Sequence, residues 1–225
     1  MSLNKSLNSI GDEITACRFR CKAIMNDVEK GIYPRCFYPE ICNEKLKYFD
    51  SIVIGLNQGI ATPLERAFIK YIQSHKSNFG FEYIKIVMEP IIRNCDYYTR
   101  VRAFLNKYLE KKDLNILWTE LVKCQSRLDD MGGKLPIELD TKKKCFEKFL
   151  KREIEIFTKY QKPLLILLGK EVFDFIKKYG KEQFVGFEYL KLYHPTGSRK
   201  FHSYFEDKNI KGKLISHIPM KEKFI

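Results

Sequence analysis

Two hydrophobic periods alternate along this chain. Short apolar runs bounded by turn residues lie at Ser51–Gly55, Asn115–Val122, Pro163–Leu168 and Phe187–Tyr193. Runs of this kind read as strands buried on both faces. Between them lie stretches of helical period at Leu64–Ser74, Tyr97–Glu110, Thr141–Tyr160 and Glu171–Tyr179. Pro63 stands where the first turn of a helix tolerates proline. Leu7–Glu29 also reads as a helix, with Cys17 and Cys21 one turn apart on a shared face. Gly31–Asn43 carries two prolines, Cys36 and Cys42, and reads as an irregular connector. Phe79–Glu89 fits neither period cleanly and is read as a short extended segment.

Strands alternating with helices predict a parallel sheet covered on both faces. The expected fold is α/β, a three-layer α/β/α sandwich with a short, mainly parallel four-stranded sheet. One domain is expected over residues 1–225, with 1–45 a helical, cysteine-bearing extension packed on it.

Charge narrows the partners. The formal net charge of +13, from 41 Lys and Arg against 28 acids, points towards phosphate backbones. No apolar run approaches the roughly 18 residues that span a bilayer, and the amino terminus lacks a signal peptide's apolar core. The expectation is therefore a cytoplasmic, non-membrane, monomeric protein. In a reducing compartment the seven cysteines read as metal ligands or plain thiols rather than disulfides.

The candidate chemistry sits where strands end. Ile52-Val53-Ile54 breaks into Gly55-Leu56-Asn57-Gln58-Gly59, a glycine-flanked turn that lets backbone approach a ligand and offers one amide, Asn57. It is neither a dinucleotide fingerprint nor a phosphate loop, because the required glycine and lysine spacings are absent. Asn57, Glu120, the Gly169 turn and His194 would share one rim, since parallel strands end at the same edge.

The order of these pieces resembles the uracil-DNA glycosylase superfamily. Gly55-Leu56-Asn57-Gln58-Gly59 is similar to its Gly-x-Asn-Pro-Gly first motif, with Gln58 replacing the proline, and His194-Pro195-Thr196 is similar to its His-Pro-Ser second motif. Leu121-Val122-Lys123-Cys124, followed by Cys145 and Phe149-Leu150, resembles the iron–sulfur branches. The likeness runs from about Ser51 to Ser198 and implies a uracil-DNA glycosylase-like fold. It also implies a monofunctional DNA repair glycosylase with DNA as partner and no organic cofactor. Such an enzyme flips a damaged base out of the stack before cleaving its glycosidic bond. The resemblance gives Asn57 the placing of water and His194, as a neutral ring, donation to the leaving base. Gly55 and Gln58 would line the base pocket, floored by Phe68 or, as second choice, Tyr71.

Glu120 departs from that pattern, standing where most members carry an asparagine that reads the uracil edge. An ionised carboxylate only accepts, so it would repel O4 of uracil unless it held a proton, and would favour bases with edge donors. The alternative is a Glu120 paired with a lysine outside the pocket.

The resemblance further implies a structural 4Fe-4S cluster on Cys17, Cys21, Cys124 and Cys145, with Cys36 able to replace either of the first two; zinc and no metal are the alternatives. Beyond the second motif, Ser198, Arg199, Lys200 and Phe201 would meet DNA. Arg199 or Phe201 would be a wedge and Lys200 a phosphate contact, against the alternative that Phe201 and Phe205 pack inward. Lys123 and Arg127 are further backbone candidates. Two other functions stay open, a non-catalytic lesion-binding protein of the same fold and a small-molecule α/β enzyme.

Overall fold

The apolar runs fold as strands and most of the helical stretches as helices. A computed structural model describes residues 3–27, 29–42, 48–57, 59, 61–75, 81–159, 161–196, 199–205 and 219–225, giving backbone alone for 3–7, 64, 68, 72, 73, 75, 81–85 and 199. In chain order the elements are α1 (Leu3–Thr15), β1 (Ile24–Met25), β2 (Tyr38–Glu40), β3 (Ser51–Asn57), α2 (Pro63–His75), α3 (Phe81–Asn94) and α4 (Asp96–Tyr108). There follow β4 (Ile116–Val122), β5 (Gln125–Ser126) and α5 (Leu139–Cys145), which continues through a π-helical turn (Phe146–Leu150) into α6 (Lys151–Phe157). The remainder is β6 (Leu164–Leu168), α7 (Lys170–Phe175) with its own π and 3-10 continuations to Phe184, β7 (Glu188–Leu192), α8 (Arg199–His202) and β8 (Glu222–Lys223). The protein is thus mixed α/β with a mostly parallel central sheet. Among the described residues no helix is long and apolar enough to cross a membrane.

Two sequence expectations are corrected. α1 stops at Thr15, and Cys17 and Cys21 lie in irregular chain rather than on a helix face. The Thr15 hydroxyl and the Arg18 guanidinium turn back onto the Asp12 and Thr15 carbonyls at 3.0 and 2.9 Å. Beyond Thr15 the sequence Arg18-Phe19-Arg20 offers no apolar stripe to bury, which removes the main support a helix needs. The segment around Phe79–Glu89 is helical, not extended, with Val87, Met88 and Ile92 buried on α3.

The chain divides into two compact units, one of Met1–Tyr38, Leu56–Met88 and Thr119–Phe157, the other of Pro39–Gly55, Glu89–Trp118 and Thr158–Ile225. The second unit is built on the sheet, whose strand order is β2-β4-β3-β6-β7-β8. β3 and β6 run parallel with Ser51 opposite Leu164, and β6 and β7 parallel with Leu165 opposite Tyr189; β8 is antiparallel to β7. The four expected strands therefore lie in the order second, first, third, fourth. The order reverses between β3 and β6, and open α/β sheets take ligands outside the carboxyl ends at such a switch. β6 is buried along its whole length, so both faces are covered. β2 and β8 are short additions that no sequence run announced.

In the first unit, α1 carries Ile10 and Ile14 into the core, and Glu13 forms a bidentate pair with Arg152 of α6 at 2.6 and 2.9 Å. β1 and β5 make a two-stranded antiparallel ladder. Phe37 packs edge-on against Phe157 at 4.8 Å between centroids.

Candidate functional site

In the second unit the parallel registers bring the carboxyl ends of β3, β6 and β7 to one edge, marked by Gly55, Gly169 and His194. Gly169 turns there with φ +88°, a conformation that favours glycine, and its N–H donates to the Leu192 carbonyl at 2.8 Å. His194 is exposed and held from two sides. Its Nδ1 stands 2.6 Å from the Thr196 carbonyl, and its ring lies 5.4 Å from that of Tyr97. A carbonyl has only lone pairs to offer, so this contact puts the proton on Nδ1; in the neutral ring Nε2 is then an acceptor. The Thr196 N–H and hydroxyl lie farther from Nδ1, at 3.3 and 3.2 Å. Arg100 of α4 donates to the Pro195 carbonyl at 2.9 Å and pairs with Asp96 at 2.7 Å, fixing the turn that bears the histidine. Sequence reasoning missed Tyr97 and Arg100. The signal was available, since they are three apart on one face of a helix.

In the first unit, the Asn57 amide donates to the Ser126 hydroxyl at 3.1 Å and, at the limit of reach, to the Cys124 carbonyl at 3.4 Å. With its N–H groups so used, the amide keeps its oxygen as the acceptor it has to offer. The Ala61 N–H donates to Gln125 Oε1 at 2.9 Å, so the chain either side of the turn is clamped to Cys124–Ser126. A side chain at Gly59 would meet nothing within 4 Å, so nothing in the fold itself demands a glycine there. Gln58 lies outside the described residues, as does the side chain of Phe68. Tyr71 is exposed.

Glu120 makes no ion pair or side-chain hydrogen bond among the described residues, so the lysine pairing weighed from sequence is not formed. The residue is half-buried overall, yet Oε2 is sealed from solvent with no partner. Burial pushes its carboxyl up from 4.5 to about 8, with Glu153 adding to the rise and Lys123, Arg35 and Lys134 opposing it. Burial therefore favours the protonated form of Glu120. Its neighbour Thr119 faces a buried network instead. Lys123 Nζ reaches Glu153 Oε1 at 2.8 Å and Thr119 Oγ1 at 2.7 Å, and the Thr119 hydroxyl donates to Glu153 Oε2 at 2.5 Å. With its side chain 1% exposed, Lys123 is a core ion-pair partner and not a DNA contact.

The cysteines chosen from sequence come together. Cys17, Cys21, Cys124 and Cys145 all line one apolar cavity of about 20 Å³, walled also by Phe19, Ile24 and Phe149. Burial raises the thiols of Cys124 and Cys21 and takes Cys145 to about 11, and the other cysteines of the set push the same way. Lys144 and Lys148 stand at the cavity wall and would offset thiolate charge. Among the described residues no group of three or more His, Cys, Asp or Glu side chains is placed to hold a metal ion. All seven cysteines are free thiols. Cys36 is buried beside Glu153 and Lys123, away from the cavity wall, and burial raises its thiol. Cys42 and Cys95 are exposed.

After the second motif, Lys200 is exposed with Nζ 5.4 Å from the Tyr193 ring centroid. Phe201 is fully buried among Phe104, Tyr204 and Phe205. As a wedge it is corrected: its ring serves the core, because four aromatic rings bury more surface together than one ring gains in water. Ser198 and the Arg199 side chain lie outside the described residues. No known family's sequence profile matches this chain, and no curated protein matches it.

Proposed function

We propose that the protein is a monofunctional DNA glycosylase of the uracil-DNA glycosylase type, with that family's three-layer α/β/α sandwich. The carrying observation is the sheet edge. The motif-bearing turns follow parallel strands β3 and β7, with the strand order reversing beside β3, where open α/β sheets take ligands. The net charge of +13 suits a phosphate backbone.

In this reading water adds to the sugar carbon as the bond to the base nitrogen breaks, and the bonding electrons leave with the base. Asn57 Oδ1 accepts a hydrogen bond from that water and aims its lone pair at the sugar carbon, and the proton the water sheds ends on the departing anionic base. His194 stabilises the departing anion through Nε2–H; because Nδ1 already carries a proton, this donation needs the imidazolium and not the neutral ring. Glu120 reads the base. A protonated carboxyl both donates and accepts, as an asparagine amide does, so burial restores the uracil recognition that an ionised glutamate would forbid.

Cys17, Cys21, Cys124 and Cys145 are proposed to hold a 4Fe-4S cluster. The donor set fits, with four thiols on one apolar cavity and lysines to balance their charge. The cluster takes no part in the chemistry and ties the Cys17–Cys21 loop to Cys124 and the end of α5. Iron and sulfide in stoichiometric amounts, in protein purified without oxygen, support it; zinc in their place would substitute a single-ion site.

One contact favours a second reading, a lesion-binding protein without catalysis: with Nδ1 donating to the Thr196 carbonyl 2.6 Å away, a neutral His194 ring would have no donor at Nε2. Oligonucleotides carrying uracil, hypoxanthine, xanthine or 5-hydroxymethyluracil separate the two. Alkali-labile abasic sites support the glycosylase. Selective binding with no abasic site across the panel supports the lesion binder.

A further inference from the structure

Cys17 and Cys21 bracket Arg18-Phe19-Arg20, and all three of these residues are exposed. Phe19 is 56% exposed, an unfavourable place for a phenylalanine unless something covers it. The loop walls an open groove of about 1070 Å³ that also takes in Lys22, Lys30 and Arg127. Two acids line the same groove, Asp27 and Glu29, and Lys30 answers Asp27 at 3.1 Å. Arg18 spends Nη1 on the Thr15 and Cys17 carbonyls, and Lys22 shares an exposed contact with Glu138 at 3.6 Å. Arg20 and Arg127 form no ion pair among the described residues.

The groove thus offers unspent guanidinium groups around one exposed ring. Guanidinium pairs bidentately with phosphate, and a flat ring stacks on any base. An anionic membrane would ask for an apolar stripe to insert, whereas Phe19 is the single large exposed apolar side chain among the described groove residues. Lys148 Nζ stands over the Phe19 ring 4.1 Å from its centroid, and an acidic protein would use the cations but leave the exposed part of that ring without a flat partner.

We propose that the Cys17–Cys21 loop and Arg127 form a nucleic-acid contact that takes a single strand, with phosphates on Arg20, Lys22 and Arg127 and one base stacked on Phe19. The identity of the strand as DNA rests on the glycosylase reading; no step of the bond cleavage does. The thiol cavity lies directly beneath, since Phe19 and Cys21 wall both. A metal group on the cysteines would hold the loop in its binding shape.

The test is fluorescence anisotropy of the full chain, purified without oxygen, with a lesion-free oligothymidylate across a salt series. Arg20→Glu combined with Arg127→Glu should weaken binding at least tenfold and make the log–log salt slope shallower by roughly 1.4, about 0.7 for each lost phosphate contact. Phe19→Ala should weaken binding roughly 5- to 100-fold with the slope unchanged, as loss of stacking does. Metal content and thermal midpoint, read on each variant, confirm that the fold persists. Wild-type binding with both variants indistinguishable from it would overturn this inference alone. Failure of the wild type to bind DNA at all, with or without binding to anionic vesicles, would overturn it together with the glycosylase reading.

Discussion

Burial holds a proton on Glu120, and that gives the pH dependence a definite sign. The folded carboxyl titrates at about 8 against an ordinary 4.5. Between those values the folded state binds more protons than the unfolded chain, so this group's contribution to stability falls as pH rises from 4.5 to 8. Recognition follows the same titration, and uracil excision should decline as pH passes about 8. Glu120→Gln keeps a donor and an acceptor at every pH, so the part of the decline centred near 8 should vanish in it, leaving only the pH dependence that both proteins share; identical profiles would mean that Glu120 does not read the base. His194 offers a second, independent check. Its contact with the Thr196 carbonyl predicts an Nδ1–H tautomer in the neutral ring, which ¹⁵N chemical shifts read directly. An Nε2–H tautomer would instead return the histidine to the neutral-donor role expected from sequence.

Phe201 and Lys123 illustrate how packing decides roles that a motif leaves open. By sequence Lys123 is a backbone-contact candidate and Phe201 either a wedge or an inward-packed ring, and both are core residues. Phe201→Ala should therefore cost about 3–5 kcal/mol in urea unfolding, the usual loss for a buried aromatic. Lys123→Met leaves Glu153 buried without its cation and should cost about 3–5 kcal/mol, whereas adding Glu153→Leu should recover much of that loss. No recovery would show that the pair contributes more than it costs to bury. The strands and longer helices were legible because their periods are long and clean: β3, β4, β6 and β7 stand within two residues of their expected ends at each side. α3 was not legible, since Ile84-Lys85-Ile86-Val87 is rich in β-branched residues and Pro90 interrupts the helical pattern. α1 was over-extended because the charged stretch past Thr15 shows helix-forming residues but no face to bury. β2 and β8, at three and two residues, carry no period at all.

The cavity of the first unit gathers cysteines that lie far apart in the chain. Four thiols that the resemblance implies as ligands, 4, 103 and 21 positions apart, share one cavity, although α1 stops short of the first two. Their spacing survives the error because a loop can bring Cys17 and Cys21 to the same wall as readily as a helix turn. Lys123-Cys124, in the bend between β4 and β5, and Cys145 at the end of α5 supply the other half. Cys124→Ser should abolish stoichiometric metal and lower the thermal midpoint, since metal bound only by the folded state stabilises it by mass action. An unchanged midpoint with no metal in either protein would reduce the set to buried thiols. The base-reading residues were less legible: the charge state of Glu120 depends on burial, and burial is a property of the whole fold.

The most direct measurement is single-turnover formation of abasic sites on a uracil-containing oligonucleotide near neutral pH, with Asn57→Ala alongside. The proposed mechanism predicts alkali-labile breaks at the uracil with the wild type and a loss of about 100-fold or more in the variant, the usual cost of removing a polar catalytic group. Breaks formed equally well by both would contradict the role of Asn57. No breaks from a protein that still binds the oligonucleotide would contradict the glycosylase.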